Sequence, residues 1–233
     1  MSTTLLFVHS PVVGPSTWKY TAEVLQDNGF GCAVPDLTAL ATMDPPYYPK
    51  YATAAAAAVD GTSGPVVVVG HSAAGALLPA IAEAVGDRTH GAVFVDAMLP
   101  QPGRSWFDTA PRGLEAQLRG LADRGLLPPW HEWFPPGSLE ALVPDQLRRR
   151  HLIAETPRLP VAYFDEPAPP PRFAKAVACA FVRLGPPFDA AADKAERLGW
   201  WVARRDWDHL RMITAPEEVA DLISQAISAI RSR

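Results

Sequence analysis

Short apolar runs alternate with longer amphipathic stretches along most of the chain. The clearest run is Pro65–Val69, which is β-branched and has no polar alternation. Such a run predicts a central parallel strand that is covered on both faces. Other strands are predicted at Thr4–Val8, Gly31–Val34, Gly91–Val95, Val177–Leu184 and Trp200–Ala203.

Helical patterns lie between these strands, and proline or glycine marks many of the boundaries. The predicted helices are Trp18–Asn28, Tyr51–Val59, Ala73–Val85, Ala190–Leu198 and a C-terminal helix that begins at Pro216. This alternation predicts one α/β domain over residues 1–233, with a mostly parallel six-stranded sheet and helices on both faces.

Residues 101 to about 175 interrupt the alternation, since they are rich in proline and contain no clear strand. Ordinary loops are only a few residues long, so this insertion predicts short helices that form a cap or lid. The cap would lie over the carboxyl edge of the sheet, where open α/β sheets bind ligands. Its aromatic residues are candidates for a substrate-binding wall, and the alternative is that they only pack the insertion itself. They are Trp106, Phe107, Trp130, Trp133 and Phe134.

Composition narrows the functional classes. The 233 residues, 48% of them hydrophobic, suffice for one sizeable core. A formal charge of −4 argues against a nucleic-acid partner, which normally meets a concentrated basic face. No stretch reaches the ~18 apolar residues of a membrane span. The first residues lack a positive region and an apolar signal core, so we expect a cytoplasmic protein whose partner is a small-molecule substrate. The sequence does not indicate an oligomeric state.

The two cysteines, Cys32 and Cys179, lie far apart in predicted strands and are expected to be buried free thiols. No spacing of histidine and cysteine suits zinc, and no glycine-rich loop suits a phosphate. The sequence therefore predicts no metal and no cofactor.

Ser72 is the candidate nucleophile. The predicted strand runs directly into a predicted helix through a serine with small neighbours, Gly70-His71-Ser72-Ala73-Ala74-Gly75. A serine at a sharp strand-to-helix turn has strained backbone and an exposed hydroxyl, and a helix that begins at Ala73 would direct its N-terminal amides at an oxyanion.

This stretch resembles the nucleophile elbow of the α/β-hydrolase family, G-x-S-x-G, with Ala74 in place of the second glycine. The likeness extends over the whole chain and is closest to small bacterial esterase-like members related to plant esterases and hydroxynitrile lyases. The resemblance implies a triad in the chain order nucleophile, acid, histidine. His209, which follows the last predicted strand, is therefore expected to be the base.

The acid has two candidates, Asp96 after the strand Gly91–Val95 and Asp189 after the strand Val177–Leu184. The commoner family position favours Asp189, although many bacterial relatives place an aspartate at the earlier strand. Asp189 also suits the N-cap of a helix that begins at Ala190, and Asp96 would need a partner at the end of a buried strand. We favour Asp96 and keep Asp189 as the alternative acid.

The first predicted strand leads into His9-Ser10-Pro11-Val12, which resembles the family's oxyanion loop. Pro11 has no N–H to donate, so the expected oxyanion donors are the amides of Ala73 and Val12. The Ser10 hydroxyl is a further candidate contact to the substrate.

These residues predict a serine hydrolase that cleaves an ester or thioester of a small apolar or acyl substrate through an acyl-enzyme. One alternative is lyase-type or other non-hydrolytic chemistry, in which the triad shuttles protons without an acyl-enzyme, and the unusual Ser10-Pro11 pair favours it. A second alternative is a ligand-binding protein of the same fold that does not turn over its ligand.

Overall fold

The computed structural model describes residues 3–170 and 177–232. Six strands in this part of the chain form one sheet in the order β2-β1-β3-β4-β5-β6, and every pairing is parallel. The predicted six-stranded α/β fold is therefore confirmed, and the sheet is wholly parallel. The strands are β1 Thr4–Val8, β2 Gly31–Ala33, β3 Val66–Ser72, β4 Thr89–Ala97, β5 Cys179–Arg183 and β6 Trp201–Arg204.

The helices mostly follow the predicted pattern. Those that flank the sheet are α1 Ser16–Asp27, α2 Tyr47–Ala57, α3 Leu78–Val85, α9 Asp189–Arg197, α10 Arg211–Thr214 and α11 Pro216–Arg231. Shorter 3₁₀ turns are Thr38–Thr42, Ala73–Ala76, Gly86–Arg88, Trp130–Trp133 and Pro186–Phe188. The helix predicted from Ala73 is divided, because the 3₁₀ turn Ala73–Ala76 follows β3 and α3 begins only at Leu78.

Helices lie on both faces of the sheet, as predicted. A Cβ atom on Gly91 of β4 would lie 2.7 Å from Ile230 of α11, so α11 packs directly on the strand there. The next residue, Ala92, points to the opposite face, because side chains alternate along a strand. On that face Ala92 lines a cavity together with Leu78 of α3 and Lys194 of α9.

The valines of β3 explain its central position. Val66, Val67, Val68 and Val69 are each at most 2% exposed. A strand buried on both faces between β1 and β4 satisfies its backbone groups in the two ladders and its side chains in the two helical layers. This strand carries Ser72 to the carboxyl edge of the sheet.

Short helices occupy the insertion between β4 and β5, as predicted, and the longest has nine residues. They are α4 Trp106–Thr109, α5 Leu114–Leu121, α6 Ser138–Leu142, α7 Gln146–Ala154 and α8 Val161–Asp165. Residues 171–175 of the predicted insertion lie outside the described residues.

Two remaining sequence-based expectations concern cysteines and membrane spans. Cys32 and Cys179 are both free, but they are half-buried rather than fully buried, and burial raises the pKa of each thiol to about 12. Among the described helices, none is long and apolar enough to cross a membrane.

Candidate active site

Ser72 ends β3 with φ 55° and ψ −127°, a backbone conformation that L-residues rarely adopt. Close packing surrounds this turn. A Cβ atom on Gly70 would lie 2.7 Å from Leu78, and one on Gly75 would lie 2.1 Å from the Met98 carbonyl oxygen. The glycine at position 75, rather than one at position 74, therefore permits the close approach of the turn to the chain that follows β4.

A bulge in β4 places Asp96. His71 pairs with Val95 and Ser72 pairs with Ala97, so Asp96 is the extra residue between two ladder positions. It has φ 43° and is 1% exposed. Bulges redirect a side chain away from its regular alternation, and here the carboxylate turns toward the carboxyl end of β5.

The Asp96 carboxylate has donors on both oxygens. The amides of Leu184 and Gly185 donate to Oδ1 at 2.8 and 3.1 Å. His209 Nδ1 donates to Oδ2 at 2.7 Å. A buried carboxylate is costly unless it has such partners, and these three hydrogen bonds supply them.

His209 lies in the loop between β6 and α10, and its side chain is 26% exposed. Phe188 stacks on the imidazole with ring centroids 5.2 Å apart and an interplanar angle of 3°. His71 Nε2 donates to the His209 carbonyl oxygen at 3.0 Å, and the two imidazole centroids are 4.3 Å apart. The ring is thus held by contacts from β3, from β4 and from the segment after β5.

The neighbouring imidazole of His71 is neutral. Burial, and then the proximity of His209, hold the pKa of His71 well below its usual value. Because the Nε2–H of this ring donates to a carbonyl, its Nδ1 is unprotonated. A neutral His71 can lie against His209 without opposing a positive charge on it.

His71 precedes the serine in the chain and contacts the His209 imidazole, so it links the nucleophile candidate to the base candidate. Within residues 3–170 and 177–232, no hydrogen bond joins the serine hydroxyl to the imidazole. Catalytic hydrogen bonds are often long in structures without substrate and tighten in the substrate complex.

The alternative acid, Asp189, faces a different partner. Its carboxylate accepts from Arg183 Nε at 2.6 Å and lies 3.6 Å from Arg204. The expected N-cap role is wrong, because Asp189 is the first residue of α9 and the residue at the cap, Phe188, makes no side-chain capping bond. The Asp189 carboxylate is paired with the Arg183 cation rather than with the helix amides.

The oxyanion loop folds as a tight turn in which the Val13 amide donates to the Ser10 carbonyl oxygen at 3.0 Å. Within the described chain, the amides of Val12 and Ala73 donate to no protein group, and both residues line the cavity at Ser72. Burial lowers the pKa of His9, whose neutral ring donates to the Ser10 carbonyl oxygen and accepts from the Leu37 amide. His9 therefore links the oxyanion loop to the backbone at Leu37.

A cavity of about 280 Å³ opens above Ser72. Trp106, Trp130 and Trp133 line it, as the sequence predicts for the insertion. Several lining residues were not predicted, namely Met98, Thr109, Ala110, Pro111, Phe164 and Phe188. Phe188 follows β5 at the carboxyl edge of the sheet, so its position in the sequence was an available signal. Phe164 lies in α8, and its position in the lining depends on how that helix packs within the insertion, which the sequence does not indicate.

The structure places three predicted substrate-binding residues outside this cavity, namely Phe107, Phe134 and Ser10. Phe107 is 7% exposed and packs against Phe164 inside the insertion, 5.5 Å between ring centroids. Phe134 is 45% exposed and packs edge-on against the outer side of the wall at Trp130, 5.1 Å between centroids. Ser10 is 1% exposed, and its hydroxyl has no hydrogen-bond partner in the described structure. Phe134 and Ser10 do not line the cavity, because Trp130 covers one side and the Ser10–Val13 turn presents Val12 instead.

A second cavity of about 280 Å³ lies between α3 and α9, and it shares no lining residue with the first. Its walls include Leu78, Phe94, Leu198 and Trp200, with Lys194 at its edge. Its one thiol, Cys179, has its pKa raised to about 12 by burial, and no histidine or carboxylate is among the described residues that line this cavity. The chemistry is therefore assigned to the cavity at Ser72. Among the residues that the structure describes, no group of three histidine, cysteine or acidic side chains is arranged to hold a metal ion.

Solved structures similar to this one extend over nearly the whole chain. One is an extracellular α/β-hydrolase from a Paenibacillus species, described as sharing structural and functional homology with tobacco Salicylic Acid Binding Protein 2. It is 18% identical to this chain and has a TM-score of 0.75, and the alignment covers 97% of this chain and 99% of that one. A pyrethroid hydrolase from Sphingobium faniae JZ-2 is 17% identical, with a TM-score of 0.75 and full coverage of both chains. The methylesterase MES16 from Arabidopsis is 16% identical, with a TM-score of 0.69 and coverage of 98% and 99%.

At these identities the likeness shows a shared fold, and no curated protein matches the sequence. The family assignment comes from a sequence model described as the alpha/beta hydrolase family, which matches residues 5–222. That match covers the sheet, the insertion and the start of α11, and it supports hydrolase activity in general. The chain belongs to the alpha/beta hydrolase family.

Proposed function

We propose that this protein is a serine hydrolase that cleaves an ester or thioester of a small apolar acyl substrate through an acyl-enzyme. The observation that carries the proposal is the 2.7 Å hydrogen bond between His209 and the buried Asp96. His209 stacks on Phe188, which lines the same cavity as Ser72. A nucleophile, a base and a carboxylate that orients the base are the three groups that this chemistry requires.

In the first half-reaction the Ser72 oxygen attacks the substrate carbonyl carbon, and His209 Nε2 takes the serine proton. Asp96 keeps the other ring nitrogen protonated and stabilises the imidazolium that forms. The imidazolium then returns the proton to the leaving alcohol or thiol as the bond between carbonyl carbon and leaving group breaks. The acyl group remains on Ser72.

In the second half-reaction a water molecule gives a proton to His209 and attacks the acyl carbon. The ester bond to Ser72 breaks, the serine regains its proton, and the free acid leaves. In both halves the amides of Val12 and Ala73 would donate to the oxyanion, because each is without another protein acceptor beside Ser72 in the described structure.

The cavity favours an apolar substrate. Its lining is formed by aromatic and aliphatic residues, and Thr109 is the polar side chain that accompanies Ser72 there. Because no charged residue is among the described residues that line this wall, an anionic acyl group would lose hydration without gaining a partner there. The similarity to a pyrethroid hydrolase and a methylesterase is in keeping with an ester substrate.

Two other functions remain rivals of this proposal. Lyase-type chemistry was favoured by the missing donor at Pro11, and the free Val12 amide weakens that argument. A binding protein without turnover would not need the Asp96–His209 bond or a serine in a strained turn. Neither rival accounts for all three groups as simply as acyl transfer does.

The test combines an active-site probe with turnover. A fluorophosphonate should label wild-type protein stoichiometrically and should fail to label Ser72→Ala and His209→Ala. Matched p-nitrophenyl ester and acyl thioester substrates should both be tried, and any hydrolysis should vanish in Ser72→Ala. Ser138→Ala, at the start of α6, is the matched control and should behave as wild type. Labelling that persists without Ser72, or a folded wild type that neither reacts nor hydrolyses, would contradict the proposal.

A further inference from the structure

Arg183, the last residue of β5, makes contacts that the mechanism above does not use. Its side chain is only 9% exposed. Nε donates to Asp189 at 2.6 Å, and Nη1 donates to Asp206 at 2.6 Å and to the Arg205 carbonyl oxygen. Asp189 opens α9, whereas Arg205 and Asp206 begin the loop that carries His209. One guanidinium therefore joins two separate segments.

The backbone beside Arg183 contacts both Asp96 and the loop that carries His209. The amides of Leu184 and Gly185 donate to Asp96. The Arg205 amide donates to the Arg183 carbonyl oxygen at 2.9 Å, and the Trp207 amide donates to the Leu184 carbonyl oxygen at 2.7 Å. The end of β5 thus fixes the carboxylate through its amides and the histidine loop through its carbonyl groups and the Arg183 side chain.

We infer that Arg183 is a positioning residue that holds the 205–209 loop so that His209 meets Asp96 and Ser72. The expected effects on kcat and on the pH profile rest on the proposed function. The expected effect on the His209–Asp96 contact rests on the geometry alone. Arg183 itself does not touch the cavity at Ser72. It also keeps Asp189 engaged away from His209, which explains why the aspartate after β5 is not the one that contacts the histidine.

The guanidinium is suited to this task. Its planar fork presents Nε and Nη donors in fixed directions, so it can bind Asp189 and the loop at the same time. A lysine would offer one compact charge and could not maintain both contacts with the same geometry. Its low exposure also limits the competition from water for these bonds.

The neighbouring Arg204 provides a comparison within the same sheet edge. It ends β6 and pairs with Asp193 at 2.7 Å and with Glu196 at 3.0 Å, both in α9. Arg204 also lies 3.6 Å from Asp189, so it has three acidic partners against two for Arg183. All three belong to α9, and none belongs to the loop that carries His209. Arg204→Met is therefore a matched control for the loss of a cation and its ion pairs.

Loosening the loop and removing a charge have opposite effects on the pH profile. Loss of the Arg183 cation alone leaves Asp189 and Asp206 unneutralised and favours the imidazolium, so the acidic limb of kcat/KM would move to higher pH. A weakened contact with Asp96 disfavours the imidazolium, so the limb would move to lower pH. The other ionisable neighbours of His209 are His71 from β3 and Asp208 in its own loop.

The experiment compares Arg183→Met, Arg183→Lys and Arg204→Met on a chromogenic ester. We expect Arg183→Met to lower kcat by about 10- to 100-fold with KM within about twofold, since displacement of a catalytic group impairs the reaction more than binding. Its acidic limb should move to lower pH, and Arg183→Lys should restore little. Arg204→Met should leave kcat and the limb near wild type.

A measurement that needs no turnover accompanies the kinetics. The His209 Nδ1–H proton, bonded to Asp96, should give a low-field resonance in the wild type that broadens or disappears in Arg183→Met. Asp206→Ala removes the other partner of the Arg183–Asp206 contact. The Asp206 side chain is 87% exposed, so its removal should not unfold the protein. Asp193→Ala, which loses a pair of similar length with Arg204 at 2.7 Å, should retain the resonance.

The outcomes are distinguishable. If the wild type hydrolyses esters but Arg183→Met and Asp206→Ala keep the resonance and the wild-type kcat, the positioning role is wrong and the hydrolase remains. A limb that moves to higher pH would show that Arg183 acts by charge alone, which also overturns the inference. If the wild type is inactive while the resonance depends on Arg183, the function fails and the positioning role stands.

Discussion

Asp96 and Asp189 follow neighbouring strands of one sheet, and their local contacts separate their tasks. The bulge in β4 turns Asp96 inward, where two amides and His209 bind it. Asp189 lies in the first turn of α9, and its side chain is 48% exposed beside Arg183. The same functional group is therefore a buried acceptor for the imidazole in one place and part of a surface ion pair in the other.

Removing the charge of each aspartate while keeping its shape should separate the two roles. Asp96→Asn should lower kcat by about 10⁴-fold, as in serine-protease triads, because the amide favours the wrong imidazole tautomer. Asp189→Asn should lose less than about tenfold, since an amide oxygen can still accept from Arg183. Steady-state kinetics checks the difference, and thermal melts show whether each variant is folded. Equal losses in the two variants would contradict this division.

The sequence predicted the residues whose place depends on chain order. Ser72 follows from a strand that meets small residues, and His209 follows from its place after the last strand. It did not predict the contacts of Arg183 or His71, because these join segments that are distant in the chain. Nor could it predict that Phe134 lies outside the cavity, since only the packing of Trp130 decides which aromatic side chain faces inward.

At the scale of elements, two glutamates join the insertion to the core helices. Glu155, at the end of α7, accepts from the Ser16 amide at 2.7 Å, and Glu166, after α8, accepts from the Tyr47 and Tyr48 amides at 2.6 and 3.0 Å. The first residues of α1 and α2 have no side-chain cap of their own, because Pro15 and Pro46 precede them. The carboxylates supply the missing acceptors, which couples the position of the cap to the helices beneath it.

Glu166→Ala should therefore lower the free energy of unfolding by about 1–2 kcal/mol, the usual effect of losing a helix N-terminal cap. Urea denaturation followed by circular dichroism measures the change. Glu140→Ala, at an exposed position in α6, is the control and should change stability by less than about 0.5 kcal/mol. If both variants were equally stable, the glutamate would not be acting as a cap.

The aromatic wall of the insertion should set the preference for acyl length. Trp130→Ala should raise KM more for longer acyl esters than for acetyl esters, because each buried methylene contributes about 0.8 kcal/mol. Phe134→Ala removes a neighbouring aromatic ring that does not line the cavity and serves as the control. KM measured over a series of acyl lengths gives the result, and a uniform rise across the series would assign Trp130 to the scaffold instead.

Most elements could be predicted from the apolar pattern. The strands were placed to within two residues at nearly every end, because a wholly parallel sheet requires continuous apolar runs. The pattern failed at Ala73–Ala76, where the close approach of Gly75 to Met98 imposes a 3₁₀ turn before α3 can begin. The insertion could be predicted only as short helices, since their mutual packing leaves no regular period in the sequence.

On the scale of the whole molecule, two buried histidines make stability depend on pH. Burial lowers the pKa of His9 and of His71 from the ordinary value of 6.5, so both are neutral in the folded chain. In the unfolded chain they take up protons near that value. The unfolded state thus binds more protons as the pH falls below about 6.5, and folding stability falls with it.

We expect the free energy of unfolding to be insensitive to these two groups above about pH 7.5 and to decline below pH 6.5 by up to ~1.4 kcal/mol per pH unit for each histidine. His9→Gln should remove its share of the slope whatever its effect on absolute stability. Denaturant titrations between pH 5 and 8 measure both quantities. The exposed His90→Gln should leave the slope as it is, and an unchanged slope in His9→Gln would contradict the assignment.

The backbone of Ser72 has a last consequence, a conflict between durability and activity. A side chain at φ 55° and ψ −127° carries strain of about 1–3 kcal/mol, which glycine does not have. Ser72→Gly should therefore raise the melting temperature while abolishing turnover, and differential scanning calorimetry would detect the gain. A Ser72→Gly protein that melts at or below the wild-type temperature would mean that the turn is relaxed. If the melting temperature rises as expected, the inactive Ser72→Gly protein would be the more stable form in which to trap an uncleaved ester.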